Sequence, residues 1–350
     1  MQILQINLER GWRGGERQTL LTACAQRELG HDVEIIARAG SELAQHAREL
    51  GFTVHHARQA VSLALWLSLH GARFDILHAQ TAGAVTGTVL AKPFHRRPIV
   101  FSRRTEFPVS SGQLFTKLKW KCVDQLVAIS QAAAAEPRRF GLAPIIIPSA
   151  TPPITPDTHR INTLISTHQL QGKRLIGTSA ALSVEKDPLT LIQAAALVCQ
   201  DHQDVVFIHW GADGSSSEAS RALIKKLGIE KKYLLLGFQH SPERLYPALS
   251  AFVLCSTYEA LGSSLLDAMS LEIPVVGTRT GGIKEVLADG RGLLATVGDA
   301  QEIAKHLDWV LSHPAEVSNM TALAAQYVRN EHDVSRMAQK YLALYTHLSR

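Results

Sequence analysis

The feature that most constrains this chain is an alternation. Short runs of apolar, β-branched residues recur along it, each followed by a loop and a helical stretch. The first unit has an apolar strand at 3–6, a glycine-bearing loop at 9–15 and a helical stretch at 16–29, which Gly30 ends just past its last turn. The order repeats to residue 150, with strands read at 33–36, 53–55, 75–77, 98–101, 126–129 and 145–147. The helices between them fall at 43–50, 61–69, 83–90 and 115–123. Continuous apolar strands alternating with helices require a parallel sheet covered on both faces. Pro148-Ser-Ala-Thr-Pro-Pro153 breaks the rhythm as a linker. It then restarts, with strands at 174–177, 205–208, 234–236, 252–254 and 275–276 and helices at 189–198, 218–227, 241–249 and 263–271. Helices at 303–311, 320–328 and 335–348 close the chain. The fold class is therefore α/β. Two Rossmann-like, doubly wound parallel-sheet domains are expected at 1–150 and 151–334, facing a central cleft, with the segment 335–350 packing back on the first. Ligands of such sheets sit at the carboxyl ends of the strands.

Composition narrows the class further. The 350 residues suit two domains, and 46% hydrophobic with 19% charged residues is the balance of an ordered globular protein. Cys24, Cys122, Cys199 and Cys255 are scattered, with no pair at metal-ligand spacing, which points to a reducing compartment and no disulfide framework. The start lacks the basic and apolar regions of a leader, and no apolar run reaches the ~18 residues of a membrane span. A net charge of +5 suits an anionic ligand or an anionic membrane surface and falls short of a nucleic-acid footprint, so no nucleic-acid partner is expected.

Three glycine loops follow strands: Gly14-Gly15, Gly211 within Trp210-Gly-Ala-Asp-Gly214, and Gly281-Gly282. Each reads either as a tight turn or as a place where backbone approaches a ligand closely. None has the Gly-x-Gly-x-x-Gly spacing of a dinucleotide fingerprint or a Walker lysine, which argues against an oxidoreductase. The most informative stretch is 252–269, read as strand, loop and helix. Glu259 lies in the loop, Gly262 permits close approach, and Ser263, Ser264 and Leu265 open the helix with N–H donors suited to a diphosphate. Asp267 follows one turn on. The two carboxylates fit hydroxyl groups on either side of that diphosphate, or else are one solvated and one structural acid.

Glu259-x7-Asp267, followed by Pro274-Val-Val and Gly281-Gly282, resembles the signature of the retaining glycosyltransferases of family 4, which have the GT-B fold. Asp75-Ile-Leu-His78, Ala128-Ile-Ser130, Ile147-Pro148 and Glu185-Lys186-Asp187 extend the likeness over nearly the whole chain. It implies a nucleotide-sugar donor in the C-terminal half and an acceptor in the N-terminal half. By the same resemblance Glu259 contacts donor-sugar hydroxyls and Asp267 the ribose. Lys186, beside Glu185, holds phosphate, and Gly14-Gly15 lies near the diphosphate. Three positions depart from the pattern: Asp267 replaces the usual glutamate, Ala181 an arginine, and Arg103 a histidine. Arg103, with Arg104, is expected to supply the missing charge to the leaving diphosphate, because a guanidinium suits bidentate binding; the other reading is a solvated basic loop.

His78 reads as an acceptor-side residue or as a core-edge histidine, with Gln80 where a second histidine often stands. Glu106 reads as an acceptor-side base or as a solvated acid. Phe115-Thr-Lys-Leu-Lys-Trp-Lys121 sets apolar residues among three lysines, either a face for anionic inner-membrane lipid or an ordinary helix with snorkelling lysines. The expectation is a cytoplasmic, peripherally membrane-bound retaining glycosyltransferase. It would serve a cell-envelope glycan or glycolipid such as lipopolysaccharide core, with no cofactor and no metal. A GT-B-type sugar-nucleotide epimerase and a non-catalytic nucleotide-sugar binder are the alternatives.

Overall fold

Residues 1–349 are described by a computed structural model of the chain. They form two compact units, one of residues 1–152 together with the chain from 331 onward, the other of Pro153–Asn330. The division falls at 152/153 and again at 330/331, where the sequence reading had placed 150/151 and 334/335.

The first unit is built from β1 (Gln2–Asn7), α1 (Gly14–Glu28), β2 (Asp32–Ala37), α2 (Glu42–Glu49), β3 (Val54–His56), α3 (Ala60–His70) and β4 (Ile76–Ala79). It continues through α4 (Ala82–Leu90), α5 (Lys92–His95), β5 (Ile99–Arg103), α6 (Gln113–Lys121), β6 (Gln125–Ala128), α7 (Gln131–Arg139) and β7 (Ile145–Ile146). All seven strands are parallel, in the order β3-β2-β1-β4-β5-β6-β7. The second unit comprises α8 (Thr158–Thr167), β8 (Arg174–Ser179), α9 (Pro188–Asp201), β9 (Val205–Trp210), α10 (Ser217–Leu227), β10 (Tyr233–Leu235) and β11 (Ala251–Leu254). It ends with α11 (Ser263–Ser270), β12 (Val275–Thr278), α12 (Ile283–Val286), β13 (Leu293–Ala295), α13 (Ala300–Ser312) and α14 (Pro314–Glu331). Its six parallel strands run β10-β9-β8-β11-β12-β13. The last helix, α15 (Val334–Leu348), packs on α1 in the first unit.

The central strands β1, β4, β5 and β6 carry apolar residues on both faces, so successive residues enter two different cores. Ile3, Ile76, Val100 and Val127 face α1, α2 and α15, where Met337, Tyr341 and Tyr345 are buried. Their neighbours Leu4, Leu77, Phe101 and Leu126 face the layer of α3, α4 and α6, with Leu63, Val85 and Trp120. This alternation decides where every polar residue at a strand end can point.

Several segments differ from the sequence expectation, among them the short helices α5 and α12, which the apolar pattern does not mark. Residues 131–139 are a helix despite Pro137, and 158–167, which the sequence pattern leaves unassigned, are a helix capped by the Asp157 side chain. Residues 242–248 form a 3₁₀ helix interrupted by Pro247 instead of an α-helix, and 293–295 add an edge strand.

Candidate functional site

In each sheet the strand order reverses once, between β1 and β4 in the first and between β8 and β11 in the second. Loops leaving the carboxyl ends of those strands diverge there and leave room for a ligand.

In the second unit those loops carry Lys186 and Glu259. Residues Val184–Lys186 make a single 3₁₀ turn after β8. Asp187 ends the turn in the left-handed conformation (φ 45°), and its carboxylate caps α9 by accepting from the Thr190 N–H at 3.2 Å. The loop after β11 is tied to this turn by the Thr257 N–H, which donates to the Glu185 carbonyl at 2.9 Å. So held, the Lys186 ammonium pairs with the Glu259 carboxylate, both side chains being only a quarter or less exposed. The Glu259 carbonyl in turn accepts from the Gly282 N–H at 2.7 Å, which fixes the 259–262 loop against the loop after β12.

Gly262 is the residue before α11, at φ 86° and ψ 57°, a conformation that costs an L-residue about 1–2 kcal/mol. It turns the chain so that the first amides of α11 are presented at its start. The N–H groups of Ser263 and Ser264 have no partner among the described residues. The third expected donor does not share this: the Leu265 N–H already donates to the Gly262 carbonyl at 2.9 Å, and its side chain is fully buried. Asp267 lies one turn on and is only 3% exposed. Gly211 follows β9, where backbone packs so closely that a Cβ would stand 1.7 Å from the Ala180 carbonyl oxygen. It is a packing position first. A pocket of about 240 Å³ lies beside it, bounded by Leu182, Asp213, Arg221 and Phe238.

In the first unit Gly14 and Gly15 are the first two residues of α1, rather than part of the loop before it. Glu16 fixes that entry, its carboxylate accepting from the Arg13 N–H at 2.9 Å and from the Asn7 amide at 3.3 Å. Burial raises the Glu16 pKa, and these hydrogen bonds oppose the rise. Arg104 runs alongside, its Cδ 3.8 Å from where a Cβ on Gly15 would be. Its Nε donates to Gln80 Oε1 at 3.1 Å and its Nη1 to Ser149 Oγ at 3.0 Å. Its Nη2 is buried with no hydrogen-bond partner among the described residues.

Two expectations are corrected here. Arg103 shares the face of Phe101, so its guanidinium turns into the α6 side of the sheet. There it lies 5.0 Å from the Trp120 ring and donates to the carbonyls of Thr105 (2.9 Å) and Phe107 (2.6 Å). Committed to its own loop, it is a wall residue, and Arg104 is the cation beside Gly15. His78 is fully buried, with Nε2 2.7 Å from Ser102 Oγ and Nδ1 2.6 Å from the Tyr345 hydroxyl. Burial, with Arg104 nearby, holds it neutral, well below the ordinary imidazole range. It is a core histidine. Glu106 lies half-buried on the irregular stretch between β5 and α6. Phe115–Lys121 falls within α6, with Phe115 and Leu118 more than half exposed and Trp120 buried.

Thr257, Asp187, Gln80 and Ser149 position these groups and were not anticipated. Asp187-Pro188 does carry a signal, since an aspartate before a proline is a common helix start.

Two nucleotide-binding-type units, each with its open loops at a sheet's reversal, define a GT-B protein. The family model described as "Glycosyltransferase Family 4" matches residues 12–151, and that described as "Glycosyl transferases group 1" matches residues 162–327. The chain belongs to the family 4 glycosyltransferases. It is 33% identical over 124 residues to the N-acetyl-alpha-D-glucosaminyl L-malate synthase of Bacillus anthracis, covering 35% of this chain and 32% of that one. It is 28% identical over 124 residues to the lipopolysaccharide core biosynthesis glycosyltransferase LpsE of Rhizobium meliloti, covering 35% of each. The chain thus spans about a third of the length of these two relatives. Among solved structures, Anabaena Alr3699/HepE in complex with UDP-glucose superposes with a TM-score of 0.89 at 20% identity, over 99% of this chain and all of that one.

Proposed function

We propose that the chain is a retaining, metal-independent glycosyltransferase. It takes a sugar from a nucleotide-sugar donor held by the second unit and passes it to a cell-envelope glycan or glycolipid held by the first. The observation that carries this reading is the Lys186–Glu259 pair beside the Gly262-turned start of α11. A nucleoside-diphosphate sugar offers phosphate oxygens to the ammonium and to the Ser263 and Ser264 amides, and hydroxyl donors to the carboxylate. Asp267 is assigned to the ribose.

The chemistry follows from that placement. The bond from the anomeric carbon to diphosphate oxygen breaks toward an oxocarbenium-like centre, and the charge that develops on the leaving oxygen meets an ammonium and helix-start dipoles. The acceptor oxygen forms the new bond on the same face, and its proton passes to the departing diphosphate, which gives retention. In the first unit, Arg104 and the Gly14 and Gly15 amides are assigned to anionic oxygens, with Glu106 orienting the acceptor. The relative named for lipopolysaccharide core biosynthesis supports a lipopolysaccharide-type acceptor. Cytoplasmic placement beside the donor pool accompanies this reading.

The test is a panel of nucleotide sugars, with nucleotide release read with and without EDTA. One donor is expected to give slow release that EDTA does not change. Glu259→Gln is expected to lower turnover about 100-fold or more with unaltered circular dichroism, on the scale of losing a principal charge-stabilising group. An epimerised sugar without nucleotide release would overturn transfer, and absence of binding heat with every donor would overturn the site itself.

A further inference from the structure

The two loops at the reversal of the second sheet carry little positive charge for a site assigned to a diphosphate. Residues 180–187, after β8, and 255–262, after β11, hold three acids, Glu185, Asp187 and Glu259, against one base, Lys186. The loop after β12 adds Arg279, whose Nη2 is engaged with the Leu294 carbonyl at 3.1 Å. Lys186 is thus the one cation that the two reversal loops offer, and Glu259 holds it.

The backbone on either side of this pair is braced, so the loops do not spread to relieve it. The Thr257 N–H and hydroxyl both donate to the Glu185 carbonyl, at 2.9 and 3.3 Å. The Thr257 carbonyl accepts from Thr280 Oγ1 at 2.8 Å, and the Glu259 carbonyl from the Gly282 N–H at 2.7 Å. On the lysine side, the Asp187 carboxylate accepts from the Thr190 N–H and hydroxyl at 3.2 and 2.6 Å. What can move is the flexible lysine stem. A diphosphate that reaches Lys186 has to take it from Glu259.

Two anions then compete for one ammonium. A bare nucleoside diphosphate that draws Lys186 away leaves its own charge beside the Glu259 carboxylate. Both side chains of the pair are a quarter exposed or less, so solvent screens that repulsion poorly. A nucleotide sugar carries its own compensation, because the sugar hydroxyls donate to the carboxylate as the ammonium leaves it. We propose that Glu259 is a latch on Lys186: it makes the site select the intact nucleotide sugar over the bare nucleoside diphosphate, and it drives the spent diphosphate out after transfer. This rests on the donor reading given above and adds a second role for Glu259. When the sugar passes to the acceptor its hydroxyls leave the carboxylate, and Glu259 reclaims the ammonium from the diphosphate.

The experiment is titration calorimetry of the full chain with UDP, GDP and ADP, and with UDP-glucose, GDP-mannose and ADP-glucose. For the base that binds, the parent chain is expected to hold the sugar nucleotide at least tenfold tighter than the bare diphosphate, a comparison that needs no variant. Glu259→Gln is expected to bind the bare diphosphate about tenfold tighter than the parent, on the scale of one charge-assisted hydrogen bond, and to lose the preference for the sugar nucleotide. In a Lys186→Met background the same substitution is expected to gain less than threefold, since the latch needs both partners. Circular dichroism of each variant checks that the fold is kept. A parent that binds both ligands equally, a Glu259→Gln chain that binds the bare diphosphate no tighter, or an equal gain in the Lys186→Met background would each overturn the latch and leave the donor site standing. No heat from any nucleotide, in parent or variant, would overturn the donor reading and the latch with it.

Discussion

At the scale of single residues, side-chain direction at the strand ends separates neighbours of identical chemistry. Arg103 and Arg104 are adjacent, yet one faces Trp120 and the other Gln80 and Ser149. Arg103→Ala is expected to cost about 2 kcal/mol of stability through two lost charge-assisted bonds to backbone carbonyls, with turnover at saturating donor retained. Lys186→Ala is expected to do the reverse, keeping the melting temperature and losing turnover. Parallel kinetics and thermal melts on both variants read this crossing. Burial sets the protonation of His209, whose Nε2 donates to the Ala180 carbonyl and whose Nδ1 accepts from the Tyr233 hydroxyl, each at 2.9 Å. Its pKa is lowered to about 4 by desolvation, against an ordinary 6.5. Between those values the unfolded chain binds a proton that the native chain does not. Its contribution is therefore complete above pH 6.5 and is lost as pH falls toward 4, by about 3 kcal/mol. Urea midpoints at pH 7.5 and pH 5 are expected to differ more in the parent chain than in His209→Asn. That Glu259 lies in the loop between a strand and a helix was legible in the sequence, but the side to which Arg103 turns was not. A strand apolar on both faces gives no pattern to say which of two arginines at its end looks outward.

Among elements, β5 was legible from its run of β-branched and aromatic residues, and α1 from the glycine just past its last turn. The misses share a cause. Residues 131–139 are small and polar around Pro137, and 158–167 bury only Leu164, so each helix is marked by its cap, Ser130 or Asp157, more than by a broad apolar face. Gly14 and Gly15 looked like loop but are the first turn of α1, held there by the Glu16 carboxylate, a three-dimensional bond that sequence spacing only hints at. Helix α15 shows what a terminal element contributes. Its Tyr345 hydroxyl meets His78 and accepts from the Gln26 side chain at 3.2 Å, while the Tyr341 hydroxyl lies 2.8 Å from Ser102 Oγ. Tyr345→Phe would leave a buried imidazole nitrogen and a buried amide without that partner, and is expected to cost about 1–3 kcal/mol. Chemical denaturation followed by circular dichroism, with Tyr345→Phe compared to a surface control such as Thr346→Ala, measures it.

On the scale of the whole molecule, the chain path makes the two units unequal. The second is continuous from Pro153 to Asn330, while the first needs two separate stretches of chain. The entry is written in sequence, as prolines and small residues at 148–153. The return carries no such mark, because residues 330 and 331 are the last two of helix α14. This asymmetry predicts how fragments behave. The piece 153–330 keeps its six strands and its own core of Ile176, Phe207, Val253 and Val276, among others, and is expected to fold alone and bind nucleotide sugar. The piece 1–152 loses Met337, Tyr341 and Tyr345, all at most 3% exposed. Each large buried side chain removed costs about 3–5 kcal/mol, and domains are typically stable by about 5–15 kcal/mol in all. That fragment is therefore expected to be molten or insoluble, and to recover when 331–350 is joined to its end through a flexible linker. Near-ultraviolet circular dichroism and calorimetry on the three fragments decide the matter. A cooperative, well-packed 1–152 would show that α15 is dispensable, and failure of the linked fragment to recover would show that the first unit cannot form without the second.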